Sequence, residues 1–256
     1  MRTDHSKMKL GKAAPIHDPR TLLLANYIKA GLPPAPAQYS YATDIIATNW
    51  GMMDNDKIGD CTCAAAGHLI MEWTDDNGKM VVPADKDIVA AYSAITGYNP
   101  VTGTNDNGAV ELNVLKYWRK KGIAGHKITA FAAVEPKNNN HVMQGVYLFG
   151  GCYIGLALPV TAQTQTVWSV PPGGAIGDGA PGSWGGHAVP VMGYDADGLT
   201  VITWGATKRM TWSFWNTYCD ESYVIISPDF VSNQPAKNGF DLAALQQDLK
   251  EITTTA

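Results

Sequence analysis

Cys61 occupies a position in the sequence where a cysteine could act as a nucleophile. Cys61 follows a turn that contains Gly59 and begins an Ala-rich segment that is typical of an α-helix. A thiol in the first turn of a helix faces the positive end of the helix dipole and backbone N–H groups that have no partner within the helix. Both effects favour the thiolate, which is the nucleophilic form of cysteine. The pattern therefore predicts an activated thiol at Cys61.

A thiol nucleophile also needs a base beside it and donors for the oxyanion that develops during attack. His187 is the best candidate base, because it begins a predicted strand after the Gly-rich segment 183–186 and would be displayed at the edge of a cleft. The residues alone leave a structural histidine at a strand end equally open. His68 lies two helical turns, about 10 Å, beyond Cys61, so we predict a hydrogen-bonded core histidine there. The remaining histidines are predicted to lie at the surface: His5, His17, His126 and His141.

The other cysteines are predicted to be buried apolar residues. Cys152 lies in an apolar run and Cys219 in an aromatic one, while Cys63 is too close to Cys61 in one helical turn for an easy disulfide. A zinc site formed by Cys61, Cys63 and His68 is disfavoured, because this spacing on one helix gives poor tetrahedral geometry. The sequence therefore predicts no metal site, and its cysteines fit a reducing compartment without requiring one.

Composition limits the classes of partner. The 256 residues carry a formal net charge of −4, with 16% charged and 45% hydrophobic residues, which suits one large domain or two subdomains. No basic patch is interleaved with aromatic residues, so neither nucleic acid nor an anionic membrane surface is an expected partner. The apolar cluster Leu22 to Ala25 is too short for a signal sequence or a membrane span. We expect a cytoplasmic protein by default, with export that uses no cleaved signal still open.

The secondary structure that must position Cys61 and His187 is predicted to change along the chain from mainly helical to mainly β. Helices are expected first, and strands, with one further helix, follow. The predicted helices are Asp18 to Ile28, the segment after Cys61, about Pro83 to Gly97, Ala109 to Lys121, and about Asn138 to Gly150. The predicted strands are Ile128 to Val134, Cys152 to Pro159, His187 to Tyr194, Leu199 to Trp204, Met210 to Trp215 and Tyr223 to Ser227. This order predicts an α+β fold with a cleft between two subdomains.

Three units are expected along the chain. An arm over residues 1–45 would include a loosely ordered start and the proline-rich linker 33–36. A helical subdomain over 46–127 would carry Cys61, and a β subdomain over 128–256 would carry His187. The two catalytic candidates would therefore face each other across the boundary between the subdomains.

Motifs in order along the chain resemble those of the papain-like cysteine peptidases, in the divergent form found in bacteria and their phages. Gly59-Asp60-Cys61 resembles the Gly-Ser-Cys of the nucleophile, and Asn55 stands where the family has its oxyanion-hole Gln. Asn107-Gly108-Ala109 resembles the Asn-Gly-Gly that walls the substrate backbone and the second specificity pocket. Gly186-His187-Ala188-Val189 resembles the histidine strand, and Thr203-Trp204-Gly205 resembles the end of the Asn-Ser-Trp-Gly motif.

The resemblance covers residues 50–227 and implies a papain-like fold, with a helical subdomain packed on a mostly antiparallel β subdomain. It implies a peptidase, or another thiol hydrolase of peptide or amide bonds, that acts on peptides or proteins without a cofactor. Cys61, as a thiolate paired with His187, would form an acyl-enzyme that water hydrolyses, while the Asn55 amide and the Cys61 N–H would hold the oxyanion. The substrate-binding residues implied are Asn107, Gly108, Ala109, Trp184 and Trp204, of which Trp204 would also cover the histidine.

The sequence departs from the family pattern at the residue that orients the histidine. Alignment offers Ile202 or, with a one-residue deletion, Thr203 in place of the family's Asn. Only Thr203 can form a hydrogen bond with the imidazole, and a hydroxyl does so weakly. Three alternatives therefore stay open: a papain-like binding or structural module with little catalysis, an amidase of cell-wall peptides or isopeptides, and a thiol acyltransferase.

The resemblance also predicts a role for the N-terminal arm. Propeptides inhibit relatives of this family by covering the cleft, and the proline-rich linker 33–36 separates a short N-terminal segment from the part that carries Cys61. We therefore expect the arm to act as an intramolecular inhibitor.

Overall fold

The computed structural model describes residues 4–26, 34–42 and 50–231. In these residues the α-helices are α1 (Cys61–Asp76), α2 (Asp85–Thr96), α3 (Glu111–Lys120), α4 (Asn139–Phe149), α5 (Trp212–Tyr218) and α6 (Pro228–Val231). The strands are β1 (Leu22–Leu23), β2 (Tyr39–Ser40), β3 (Ala130–Ala133), β4 (Cys152–Leu158), β5 (Val167–Trp168), β6 (Gly185–Tyr194), β7 (Gly198–Thr203), β8 (Ala206–Thr211) and β9 (Cys219–Ile226). The α+β fold predicted from the sequence is confirmed.

The strands form one sheet in the order β1-β3-β9-β4-β6-β7-β8-β5, and β2 pairs with β6 outside this path. Pairing is antiparallel except at β1–β3 and β5–β8, each of which pairs two residues of each strand. The central strands β4 and β9 are almost entirely buried, as expected of strands covered on both faces. The mostly antiparallel pairing agrees with what the papain-like resemblance implied.

Helix α1 lies at the centre of the molecule. Its first 14 residues are all buried, which confirms the prediction of a helix that is apolar nearly all round. It packs against β6 and contacts α2, α3 and β7. This packing carries the N-terminus of α1, with Cys61, to the strand that begins at Gly185 and carries His187.

Helices α2 and α4 follow their predicted bounds closely, and each ends at a glycine in the left-handed conformation, Gly97 and Gly150. Helix α3 begins at Glu111 instead of the predicted Ala109. The physical reason is that Ala109 uses its N–H and C=O in hydrogen bonds to the N-terminal arm and stays extended. The helix therefore begins only after this paired residue.

Two predictions about secondary structure are wrong. The segment 210–215 is not one strand: β8 ends at Thr211, whose hydroxyl accepts a hydrogen bond from the Phe214 N–H and caps α5. The predicted helix from Asp18 is replaced by β1 and a 3₁₀ turn at Leu24–Asn26. Asp18 does not cap a helix, because its carboxylate binds the side chains of Arg20 and Lys116, and β1 pairs with β3.

The N-terminal arm also differs from its prediction. Residues 4–18, expected to be loosely ordered, have defined hydrogen bonds with the rest of the protein, among them that of the His5 N–H to the Gln163 carbonyl. Part of the predicted linker lies outside the described residues. The division into units at residues 45 and 127 stays a prediction.

Candidate active site

The thiol of Cys61 is buried at the first residue of α1, where it is 1% exposed. The Ala188 N–H donates a hydrogen bond to its Sγ at 3.4 Å, and the Gly11 N–H of the arm also faces the sulfur. Burial nevertheless raises the pKa of the thiol to about 12, and these N–H groups offset only part of the effect. The sequence prediction of a thiolate is therefore wrong for this closed state of the protein.

The magnitudes explain that difference. A helix dipole stabilises an adjacent charge by about 0.3–1 kcal/mol. A shift of the thiol pKa from 9.0 to about 12 corresponds to about 4 kcal/mol in the opposite direction. Loss of hydration therefore exceeds the dipole effect as long as the thiol stays covered.

His187 lies two residues into β6 and is 1% exposed. Its Nε2 forms a 2.7 Å hydrogen bond with the Thr203 hydroxyl, whereas its Nδ1 is buried without a hydrogen-bond partner among the described residues. Burial, with a smaller contribution from the nearby His5, lowers the pKa of the imidazole to about 3. The ring is therefore neutral, with one nitrogen held by Thr203 and the other unpaired.

The structure brings three predicted catalytic residues together. Asn55, Cys61 and His187 line one small cavity, and Thr203 and Trp204 contribute to its wall. Asn55 is 3% exposed and its Nδ2 donates a hydrogen bond to the Ile58 carbonyl at 3.2 Å. One amide hydrogen of Asn55 is therefore engaged in the turn before α1, and the same side chain lies beside the Asp60 carboxyl.

Aromatic rings cover the histidine. The Trp204 ring stacks on the His187 ring with 4.6 Å between centroids, as predicted for a residue that shields the base. His5 of the arm stacks on the Trp204 ring at 4.8 Å, although it was expected at the surface. Trp184 packs beside Trp204 at 5.6 Å. The His187 side chain is therefore enclosed by an aromatic layer to which the arm contributes.

The arm crosses the cleft over residues 9–13. The N–H groups of Gly11 and Lys12 donate to the Gly186 carbonyl at 3.2 and 3.0 Å on one side. On the other side the Ala109 N–H donates to the Gly11 carbonyl at 2.7 Å, and the Ala13 N–H donates to the Ala109 carbonyl at 2.9 Å. The arm therefore pairs with both walls and occupies the space above Cys61.

The predicted substrate wall is only partly in contact with the arm. Ala109 pairs with it, and Gly108, with φ of 74°, lies so close that a Cβ would be 2.2 Å from the Gly11 carbonyl oxygen. A side chain at Gly108 would therefore both strain the backbone and collide with the arm. Asn107 is exposed, and its part in binding stays a prediction.

Sequence reasoning missed the residues around Lys12. Its ammonium lies 2.9 Å from Asp220 Oδ2 and 3.0 Å from Glu221 Oε1, and the buried Glu111 lies nearby. Glu111 is separated from the adjacent Asp220 and Glu221 by about 110 positions in the sequence, and no spacing rule links it to them. The one available signal was the pair of adjacent acids in a strand that is otherwise apolar, 219–226.

Two other sequence predictions concern residues outside the catalytic pair. His68 is 2% exposed and its Nε2 forms a 3.1 Å hydrogen bond with the Gly51 carbonyl, which confirms a core histidine. All four cysteines are free and buried. Among the described residues no cluster of three or more His, Cys, Asp or Glu has a metal-binding arrangement, and no helix has the length and apolar character needed to cross a membrane.

Solved structures resemble this chain over most of its length. Xylellain, a cysteine protease from Xylella fastidiosa, covers 89% of this chain and 98% of its own, with a TM-score of 0.64 and 16% identity. Procathepsin B S9 from Trypanosoma congolense covers 87% and 88%, with a TM-score of 0.58 and 10% identity. Digestive procathepsin L 3 of the Tenebrio molitor larval midgut covers 87% and 77%, with a TM-score of 0.57 and 8% identity.

At these identities the likeness shows the fold. The chain has a papain-like fold, as the order of its motifs predicted, and its structural neighbours include cysteine proteases. No family model and no curated protein matches the sequence.

Proposed function

We propose that this protein is a cysteine peptidase that cleaves peptide or amide bonds through an acyl-enzyme on Cys61. The observation that carries the proposal is the arrangement of His187. Its Nε2 is held by Thr203 at 2.7 Å, its Nδ1 is buried without a partner among the described residues, and the side chain lines the same cavity as Cys61 at the N-terminus of α1. A structural histidine of the core would be expected to have both ring nitrogens satisfied.

In the proposed mechanism His187 takes the proton of Cys61 at Nδ1, and the sulfur attacks the carbonyl carbon of the substrate. The Thr203 hydroxyl keeps the imidazole in the orientation that directs Nδ1 to the thiol. The imidazolium then protonates the leaving amine, and water, activated by the same nitrogen, hydrolyses the thioester.

Two donors are proposed for the oxyanion. The Cys61 N–H belongs to the first turn of α1 and has no acceptor within the helix. The side-chain amide of Asn55 is the second donor proposed, and Asn55 lines the same cavity as Cys61. Because Asn is one methylene shorter than the Gln of the family pattern, the buried turn before α1 must hold it close to the sulfur. Donors fixed in this way stabilise the charge that develops on the carbonyl oxygen.

The form with the arm in the cleft is proposed to be latent. Burial keeps the thiol and the imidazole neutral, and the arm presents the Gly11 N–H, not a carbonyl carbon, to the sulfur. When the arm leaves, water can reach the pair and stabilise the charged thiolate and imidazolium forms. This is the physical basis on which we propose that the predicted inhibitory arm acts.

The test is covalent labelling of the full chain with an epoxide or iodoacetamide, with the labelled residue identified by peptide mapping. We expect Cys61 to be labelled at pH 7 and labelling to be strongly reduced in His187→Ala. His17→Ala, which removes an exposed histidine of the arm, is the matched control and should label like wild type. Because the arm slows access, the same measurements are made in the Gly11→Ala chain.

A cleavage assay distinguishes the proposed peptidase from the alternative functions. Hydrolysis of a fluorogenic peptide amide that disappears in Cys61→Ala supports a peptidase. Labelling of Cys61 without any cleavage, in a chain whose arm has been displaced, would contradict a peptidase. Absence of both would favour a binding or structural module with this fold.

A further inference from the structure

The side chain of Lys12 occupies a buried acidic pocket beside the proposed nucleophile. Its side chain is 1% exposed, and its ammonium contacts Asp220 at 2.9 Å and Glu221 at 3.0 Å. The ammonium also donates to the Ala13 carbonyl at 3.3 Å. A lysine is rarely this deeply buried unless it is paired, so the pocket is built to hold a cation.

A β-bulge explains how two neighbouring acids reach the same ammonium. In β9, Glu221 pairs with Gly155 of β4 while Cys219 pairs with Leu156, so Asp220 is the extra residue. In a regular strand Asp220 and Glu221 would point to opposite faces of the sheet. The bulge turns the strand locally, and both carboxylates approach Lys12.

Gly155 makes the space that the lysine stem fills. A Cβ on Gly155 would lie 2.0 Å from Lys12 Cε and 2.8 Å from Asp220 Oδ1. Any side chain at this position would therefore exclude the stem of Lys12. The absence of a side chain here leaves a slot that leads to the two carboxylates.

A third acid lies beside the pocket. Glu111, the first residue of α3, is fully buried and neither of its oxygens has a hydrogen-bond partner among the described residues. Burial and the neighbouring Glu221 raise the pKa of Glu111 well above its usual value, which favours its protonated form, whereas Lys12 acts in the opposite direction. Burial lowers the pKa of Lys12, but the three carboxyls raise it more. The direct contacts of the ammonium are those with Asp220 and Glu221, which would face each other without a cation between them.

We propose that this pocket is a substrate subsite that selects a basic side chain, lysine first, once the arm has left. The inference rests on the proposed peptidase function. Lys12 follows Gly11, which faces the sulfur, and the backbone there pairs with Ala109, the predicted substrate wall. The arm pairs with Ala109 in the parallel sense. A substrate that pairs with the same wall in the antiparallel sense runs past the sulfur in the opposite direction, so the pocket receives the residue that precedes the one with the scissile carbonyl.

The test uses peptide amides that differ only at that position, with Lys, Arg, norleucine or Glu, and glycine at the scissile residue. The enzyme is the full chain with Gly11→Ala and Lys12→Ser, which removes the arm from the cleft and the pocket. We expect kcat/KM for Lys to exceed that for norleucine by about ten- to a hundredfold. Norleucine keeps the stem and lacks the ammonium, so the ratio isolates the charge.

Variants assign the preference to the pocket. Asp220→Asn and Glu221→Gln should each lower the ratio of Lys to norleucine, towards about one when combined, while cleavage of the norleucine peptide persists. Asp229→Asn, which alters a half-buried carboxylate paired with His126, is the matched control and should leave the ratio unchanged. Equal cleavage of the Lys and norleucine peptides by the parent chain would overturn the inference and leave the peptidase proposal intact.

A binding measurement tests the proposed subsite even if the protein cleaves none of these peptides. The same peptides, labelled for fluorescence anisotropy, are titrated onto the chain that also carries Cys61→Ala. Tighter binding of the Lys peptide, lost in the double variant of Asp220 and Glu221, supports the subsite even without catalysis. Equal binding of the Lys and norleucine peptides contradicts it. Failure of cleavage alone would count against the peptidase proposal only.

Discussion

Gly11→Ala is expected to open the cleft without altering any residue of the proposed catalytic machinery. A Cβ on Gly11 would lie 1.8 Å from the Gly59 carbonyl oxygen and 2.2 Å from its carbon. Ordinary van der Waals contact is about 3.5 Å, so the arm must move by about 1.5 Å or more at this point. The Gly59 backbone belongs to the buried turn before Cys61 and cannot give way as easily as the arm.

The magnitude follows from the hydrogen bonds that such a shift breaks. Gly11 donates to the Gly186 carbonyl at 3.2 Å and accepts from the Ala109 N–H at 2.7 Å. A net contribution of about 0.5–1.5 kcal/mol for each bond gives about 1–3 kcal/mol in favour of the open form. The ratio of open to closed protein should then rise by about 5- to 150-fold.

The assay measures the rate of Cys61 alkylation by iodoacetamide under pseudo-first-order conditions. While the open form is a minor species, this rate is proportional to its population, so it should rise by about the same factor. Gly173→Ala is the matched control, because the described residues leave open space where its Cβ would lie. Thermal unfolding of both variants checks that the alanine has not destabilised the whole protein.

An unchanged alkylation rate in Gly11→Ala, with both variants folded, would refute the reasoning. It would mean that the arm does not limit access to the sulfur or that the turn before Cys61 moves instead. A similar increase in Gly173→Ala would also refute it, since that substitution touches nothing in the cleft. An increase confined to Gly11→Ala supports an arm that blocks the nucleophile.

Three further predictions follow from the same geometry. Thr203→Val should lower kcat of the Gly11→Ala chain about tenfold with little change in KM, because the hydrogen bond to His187 is lost. Thr203→Ser should restore kcat. Equal kcat values for the Thr203→Val chain and its parent would contradict an orienting role. Lys12→Met should raise the rate of Cys61 alkylation about tenfold or more, because the arm loses its buried ion pair; a lower rate would show that Lys12 does not hold the arm. Burial lowers the pKa of His187 from 6.5 to about 3. Between these pH values the unfolded chain therefore binds a proton that the folded chain does not. The free energy of unfolding then falls as pH falls. Urea unfolding from pH 6.5 to 4.5 should therefore show a shallower pH dependence in His187→Ala, by at most about 1.4 kcal/mol per pH unit, and identical slopes would contradict the burial of a neutral ring.

Local patterns in the sequence were sufficient for much of the fold. The helix at Cys61 is apolar nearly all round, and that property alone predicts a buried central helix. Helices α2 and α4 end at glycines, and strands such as β4 and β6 are short apolar runs between turn residues. These features depend on residues within one or two turns of each other, so the chain order reveals them.

Local patterns failed where contacts with distant residues determine the backbone. The Asp18 segment has a helix-start pattern, yet Arg20 and Lys116 take its carboxylate and β1 joins the sheet. Helix α3 starts two residues late because the arm pairs with Ala109. In each case a tertiary contact is worth more than the local preference, which amounts to a fraction of a kcal/mol per residue.

By itself the sequence determined that Cys61 begins a buried helix, that His187 begins a strand, and that Thr203 or Ile202 stands near the histidine. The tertiary structure decided between those two, since only the Thr203 hydroxyl reaches Nε2. It also decided the ionisation of the pair, because desolvation depends on what covers a group and not on its neighbours in the chain. The acidic pocket around Lys12 likewise exists only after folding, when a bulge in one strand, the start of one helix and the N-terminal arm meet.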